Sequence, residues 1–327
     1  MRSHGVAPWI YKLTRDRPDL VLPDKISGEL KADYYNSSAQ SIHHESCLRR
    51  LAESLANRQI PMVVLKGIYL SEFVYRNPAL RLMSDVDILV KEEDLGCTQE
   101  LLTGLGFKLA IDVPEEFQPH LYPSRPYLRS GASREVLDLH SRLVLLDHYH
   151  LSSETVWKNS LEAEIFGFPV RILTPEMNFI HIAVHIPSHS PILRDRLDLL
   201  MILLTMKPNW NTILDLSGDL GVMRPLYWIT RELIDDWDCE IPSSVNEAFR
   251  SYKAPILDDL VIKSRFRYFW RFYSRFSRQQ GFDGKLKFLR LRLFPSPEYR
   301  KAVVGSSNPV YYIHSKLSYF LNLYKRN

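Results

Sequence analysis

The spacing of hydrophobic positions changes along the chain, and the changes mark elements. In "SIHHESCLRRLAESLANRQI" (41–60), Leu48, Leu51 and Leu55 recur at helical spacing. Ser41 can cap that helix and Pro61 ends it. "MVVL" (62–65) is a short unbroken apolar run and predicts a buried strand. "GIYLSEFVYRN" (67–77) predicts a helix with Ile68, Leu70, Phe73 and Val74 on one face. "DVDILV" (85–90) predicts the next strand. "EEDLGCTQELLTGLG" (92–106) predicts a helix with acidic residues in its first turn and Gly104 and Gly106 near its end. "FKLAI" (107–111), "EVLDLH" (135–140) and "FPVRIL" (168–173) predict further strands. The aromatic segment 112–133 between the first two of these predicts a loop. From Thr174 onward the pattern is helical, with Thr174 as N-cap and Pro175 at the first helical position.

This order predicts an α/β (α+β) fold. A mixed β-sheet core with flanking helices occupies 45–173, and a mostly helical C-terminal domain occupies 174–327. Residues 1–44, rich in Pro, Asp and Ser, predict an irregular arm or a short helical cap.

Composition narrows the class. The 327 residues are 45% hydrophobic and 24% charged, which suits a chain with a real core and excludes a disordered acidic tail. No apolar run reaches the roughly 18 residues that a spanning helix needs. The N-terminal stretch interrupts its apolar residues with charges and prolines, so no signal peptide is expected. Cys47, Cys97 and Cys239 are scattered and odd in number, which predicts reduced thiols and a cytoplasmic protein. A net charge of +4 names no partner.

The candidate chemistry begins with Asp85 and Asp87. Residues i and i+2 of a strand share a face, so the two carboxylates project together. They repel unless a positive charge lies between them, and a divalent cation relieves that repulsion. Asp138 in "EVLDLH" is a third acid in apolar surroundings. On a neighbouring strand it would complete a set able to hold two metals for in-line displacement at phosphorus. The plainer reading is that acids at strand edges are simply exposed. Lys66-Gly67 shifts the balance. Gly67 stands where a strand turns into a helix, where backbone can approach a ligand and free N–H groups suit phosphate. Lys66 adds a point charge for the same phosphates, Arg81 can neutralise a leaving pyrophosphate, and Ser84 can hydrogen-bond the phosphates or cap the turn. The plainer readings are a solvated Lys66 and a surface ion pair at Arg81.

Taken together, Leu65-Lys66-Gly67, Tyr75, Pro78, Arg81 and Asp85-Val86-Asp87-Ile88-Leu89-Val90 resemble the uncharacterised nucleotidyltransferase family of bacteria, within the DNA polymerase β-like superfamily. Asp138-Leu139-His140, Thr174-Pro175-Glu176 with His181 and His185, and Leu193 with Asp198 are similar to later segments of that family, so the resemblance runs over roughly 45–325. Lys66-Gly67 and the Arg81 to Asp87 string also resemble nucleotidyltransferase toxins of abortive-infection systems. Where the wider superfamily has Gly-Gly or Gly-Ser at the phosphate turn, Ile68 follows Gly67 here, so a hydroxyl is missing from that turn.

The resemblance implies a two-metal nucleotidyltransferase. An NTP would bind with Mg²⁺ (or Mn²⁺), its phosphates at Lys66 and Gly67. Asp85, Asp87 and Asp138 would ligate metal, and Asp138 would help deprotonate an acceptor hydroxyl. The acceptor would be a small molecule, a sugar-like metabolite or a peptide. Attack at the γ-phosphorus would make the same site a kinase. The remaining alternatives are transfer to RNA ends and a non-catalytic binding module on this scaffold. His140 and His185 are candidates for substrate contact or for supporting the metal ligands. His181 and His185 lie i, i+4, but without the Glu of H-E-x-x-H the pair reads as buried structural histidines rather than a zinc site.

One tract stands outside this scheme. Residues 263–292 interleave ten Lys and Arg with aromatics, opposed only by Asp283. The commonest meaning is a helix with its aromatic face in the core and its basic face in water. An anionic partner or membrane surface ranks next, and single-stranded nucleic acid last.

Overall fold

The computed structural model describes residues 4–17, 19–110, 124–131, 134–143, 153–186, 192–253 and 281–325, and eight isolated positions (256, 259, 260, 269, 272, 273, 276 and 277). The stretch 112–123, "DHYH" (147–150), Lys263 and the arginines at 265, 267, 271, 275 and 278 lie outside the described residues.

Seven strands make one mixed sheet: β1 (Val63–Val64), β2 (Val86–Leu89), β3 (Lys108–Leu109), β4 (Ser124–Arg129), β5 (Glu135–His140), β6 (Ser160–Ile165) and β7 (Phe168–Leu173). Their order is β3-β4-β5-β2-β1-β7-β6. β2 runs parallel to β5, and β1 parallel to β7. The other neighbours are antiparallel. Both central strands β1 and β2 are buried along their whole length, as expected of short apolar runs walled in on two faces.

Helices cover the sheet: α1 (Ala7–Asp16), α2 (Asp24–Ala56), α3 (Lys66–Tyr69), α4 (Leu95–Gly104) and α5 (Ser153–Lys158). α3 continues without a break into a wide π-type turn, Leu70–Tyr75. After the sheet come α6 (Pro175–His185), α7 (Leu193–Met206), α8 (Trp210–Asp219), α9 (Met223–Trp237) and α10 (Ser243–Ser251), then α11 (Gly281–Leu293), α12 (Pro297–Val304) and α13 (Pro309–Lys325). Thr174 caps α6 as its sequence predicts, accepting from the Met177 N–H at 3.2 Å.

Three details depart from the sequence reading. The N-terminal segment, expected as an irregular arm or a short helical cap, is helical but not short: α1 and then α2 occupy it, and α2 runs unbroken through residue 44. Its buried face includes Leu30, Ser37, Ser41, Leu48 and Leu51, so small serines stand where apolar residues would have revealed the stripe. Within the expected loop, Ser124–Arg129 is a strand, because its backbone pairs with β5 along six residues. A further strand, β6, forms a hairpin with β7. Phe166 (φ 55°) and Gly167 (φ 85°) make its two-residue turn, the left-handed pair that matches strand twist.

One hydrophobic cluster runs from Cys47 on α2 through the sheet to Phe249 on α10. The composition change at residue 173 therefore marks the end of the sheet, while the core continues across it. Tyr299 and Tyr312 centre a smaller second cluster.

Candidate active site

The parallel pairing of β2 and β5 sets Asp87 directly opposite Asp138. His140, two residues further along β5, shares the face of Asp138. The register thus brings two acids and an imidazole together, and one ligand atom from each lies within 4.8 Å of the other two. Asp87 is buried and Asp138 half-buried.

Asp87 is the hub. Its Oδ1 accepts from Lys66 Nζ at 2.9 Å and from His140 Nε2 at 2.9 Å. Burial alone would raise the Asp87 carboxyl. The Lys66 ammonium and the His140 hydrogen bond outweigh it and hold the group well below the usual carboxylate range. Asp138 moves the other way, raised by burial and then by the charge of Asp87. Ser124 Oγ donates to its Oδ2 at 3.3 Å.

Lys66 reaches Asp87 because of its backbone. It adopts φ 38°, a left-handed conformation that costs an L-residue other than glycine roughly 1–2 kcal/mol. Leu65 still belongs to the sheet, its N–H bonded to the Asp87 carbonyl at 3.0 Å. The chain turns abruptly at Lys66 into α3.

Asp85 lies one residue before β2, half-buried, and outside the cluster of Asp87, Asp138 and His140. Its carboxyl is raised by burial and then by Asp87, and Ser84 Oγ donates to its Oδ1 at 3.1 Å. Ser84 is exposed.

Gly67 stands at the turn from β1 into α3, where the sequence places it, and Arg81 is in a buried ion pair. Arg81 is 7% exposed and donates through Nε and Nη2 to Asp198 on α7, the Nη2 bond being 3.0 Å. Tyr75 O–H donates to the same carboxylate at 2.7 Å. Arg81 thus shares a buried carboxylate with Tyr75 rather than making the surface ion pair of the plainer reading. Gly67 is buried too. A Cβ on it would lie 2.9 Å from Met83 Sδ and 3.3 Å from Arg81 Nη1, so its missing side chain makes room for those two residues.

His181 is fully buried behind the cluster, and both its ring nitrogens lack a hydrogen-bond partner among the described residues. Burial, helped by the nearby Lys66 charge, pushes it down to about 3, so it is neutral. His185, half-buried at the end of α6, has its ring centroid 6.3 Å from that of His181. It is not part of the Asp87 cluster.

Sequence reasoning missed Asp198 as the partner of Arg81 and Tyr75. His140, a candidate for substrate contact or for supporting the metal ligands, stands on the face of Asp138, as its i+2 spacing implies.

With this geometry in hand, comparison with known proteins is informative. The sequence matches the family described as uncharacterised nucleotidyltransferase over residues 1–233. The chain belongs to that family. The match includes α1 and α2 and ends before the basic tract. No curated protein matches the chain. Among solved structures, the antibiotic-resistance factor ANT(2″)-Ia in solution is 14% identical over 56% of this chain and 91% of that one, with a TM-score of 0.40. A crystal structure of ANT(2″)-Ia with adenylyl-2″-tobramycin is 14% identical over 53% and 94%, with a TM-score of 0.39. An antigenic nucleotidyltransferase-like protein from Paracoccidioides brasiliensis is 13% identical over 67% and 96%, also at 0.39. Likeness this loose transfers no substrate.

Proposed function

We propose that this nucleotidyltransferase-family protein transfers a nucleoside monophosphate from an NTP to a hydroxyl of a small molecule, sugar-like metabolite or peptide, with a divalent cation. The observation that supports this most is the convergence of Asp87, Asp138, His140 and Lys66 on one face of the sheet. Two carboxylates suit Mg²⁺ or Mn²⁺, and the imidazole nitrogen makes Mn²⁺ the better-matched of the two. A cation held by Asp87, Asp138 and His140 would neutralise charge on the phosphates.

The chain's own residues account for the rest. Lys66 neutralises Asp87 in the resting site, and its flexible ammonium can swing from there to an incoming triphosphate. Backbone N–H groups at the start of the helical stretch 66–75 face the same phosphates. Arg81, gripped by Asp198 and beside Gly67, supports this turn from the interior. Asp138, directly opposite Asp87 in the β2–β5 register, would take the proton of the attacking hydroxyl as pyrophosphate leaves. Asp85, half-buried beside the cluster, adds negative charge at its rim.

The test is transfer of label. Full-length protein is incubated with Mn²⁺ or Mg²⁺, a panel of aminosugars, sugars and hydroxyl-bearing peptides, and NTPs labelled at the α- or the γ-phosphate. Nucleotidyl transfer puts the α-label on the acceptor. Label from the γ-position alone would make the protein a kinase and overturn the reading.

A further inference from the structure

The basic tract is not absorbed by this site, and α11 shows what its C-terminal part presents. Phe288 packs inward, its ring 5.5 Å from Phe272 and 6.4 Å from Phe276. Among the described residues, another apolar face of the helix is left largely exposed, with Leu289 half-buried on it. Phe282 is 78% exposed, Leu286 54% and Leu293 45%, and Leu289 falls on the same line. At 3.6 residues per turn these four span only about 60° of the helix circumference. The i, i+4, i+7, i+11 spacing is that of a continuous seam, and a seam this apolar is not a solvated face.

The charges beside the seam decide what can cover it. The flanking positions are Asp283, Lys285, Arg290 and Arg292, and Lys287 adds a further exposed cation. A second copy of the helix would place Lys285 against Arg290 across the seam, so like charges oppose self-pairing. An anionic bilayer satisfies both features: the apolar line enters the boundary of the acyl chains while the exposed Lys287 and Arg290 stay among the headgroups. We propose that α11, through the seam of Phe282, Leu286, Leu289 and Leu293 and its flanking cations, docks this protein on an anionic lipid surface.

This inference does not rest on the catalytic reading. No helix among the described residues is long and apolar enough to cross a membrane, so the contact is peripheral.

Co-sedimentation of the full-length protein with vesicles tests it. One set is phosphatidylcholine alone, the other phosphatidylcholine mixed with phosphatidylglycerol. The wild type is expected to sediment with the mixed vesicles, weakly with the neutral ones, and less as salt rises. F282S/L286S removes the seam at exposed positions and should abolish sedimentation. K287E/R290E should weaken it at least about twentyfold, since each cation near such a surface is worth roughly fivefold. Circular dichroism of both variants checks folding. Absence of sedimentation by the wild type, equal binding to neutral vesicles, or binding unchanged in both variants overturns the proposal. So does a wild-type dimer that F282S/L286S converts to monomer without any vesicle binding, because the seam would then belong to a second copy.

Discussion

Arg81 Nη2 lies 3.0 Å from Asp198 Oδ2, across 117 residues of sequence and almost out of reach of water. The pair fastens α7 to the segment that leads into β2, and Tyr75 O–H closes it from the helical stretch that begins at Lys66. The two sides of the candidate site are thereby tied to one carboxylate.

Breaking that pair should be costly, while replacing it should not. Removing one partner of a buried ion pair leaves a charge without compensation, typically about 3–5 kcal/mol. Asp198→Ala should lower unfolding free energy by that order in urea titration. Arg81→Met/Asp198→Leu should recover most of the loss. Losses that simply add in the double variant would show that the pair is not coupled.

Crowding at Gly67 gives a second prediction. Gly67→Ala should destabilise by about 1–3 kcal/mol, because the new methyl group meets Met83 in a buried site. Met83→Ala in the same chain should remove most of the Gly67→Ala penalty. A double-mutant cycle with no interaction energy would contradict this account.

How far the sequence could be read follows from how local each feature is. The strand that carries Asp87, the Lys-Gly turn and the Thr174-Pro175 helix start are written in neighbouring residues, and the structure has all three, with Asp85 one residue before the strand. Asp138 was legible as an acid on a strand, and only the β2–β5 register reveals that it faces Asp87. β4 was hidden by Pro126 and two arginines, and by a pairing that "SRPYLR" does not announce. β6, "SLEAEI", has the composition of a helix; the Phe166-Gly167 turn overrides that propensity. The partnership of Arg81 with Asp198 has no local trace at all.

Lys66 allows strain and charge to be separated. Lys66→Met loses the ammonium and keeps the strained backbone; Lys66→Gly loses both. The Gly variant should be more stable than the Met variant by about 1–2 kcal/mol, and both should be inactive. Thermal unfolding with a transfer assay checks this. Equal stabilities would mean that φ 38° costs nothing here.

Glu135 supplies a pH prediction. Burial would raise its carboxyl, but hydrogen bonds from Arg129 at 2.6 Å and Arg50 at 2.6 Å hold it below its ordinary 4.5. A depressed folded-state value means that its stabilisation is present above the unfolded value and is lost as pH falls through the folded one. Wild-type stability should therefore drop as pH descends below about 4.5. Glu135→Gln should show a shallower fall over that interval. Parallel pH profiles for the two proteins would remove Glu135 from the account.

The central claim is that Asp87 and Asp138 form a working cation and nucleotide site. Calorimetric titration of the wild type and of Asp87→Asn/Asp138→Asn with each NTP, with and without Mn²⁺ or Mg²⁺, tests it most directly. Binding is expected to require the cation and to disappear in the double variant. No NTP binding by the wild type, or binding that persists without the cation and in the variant, would contradict it.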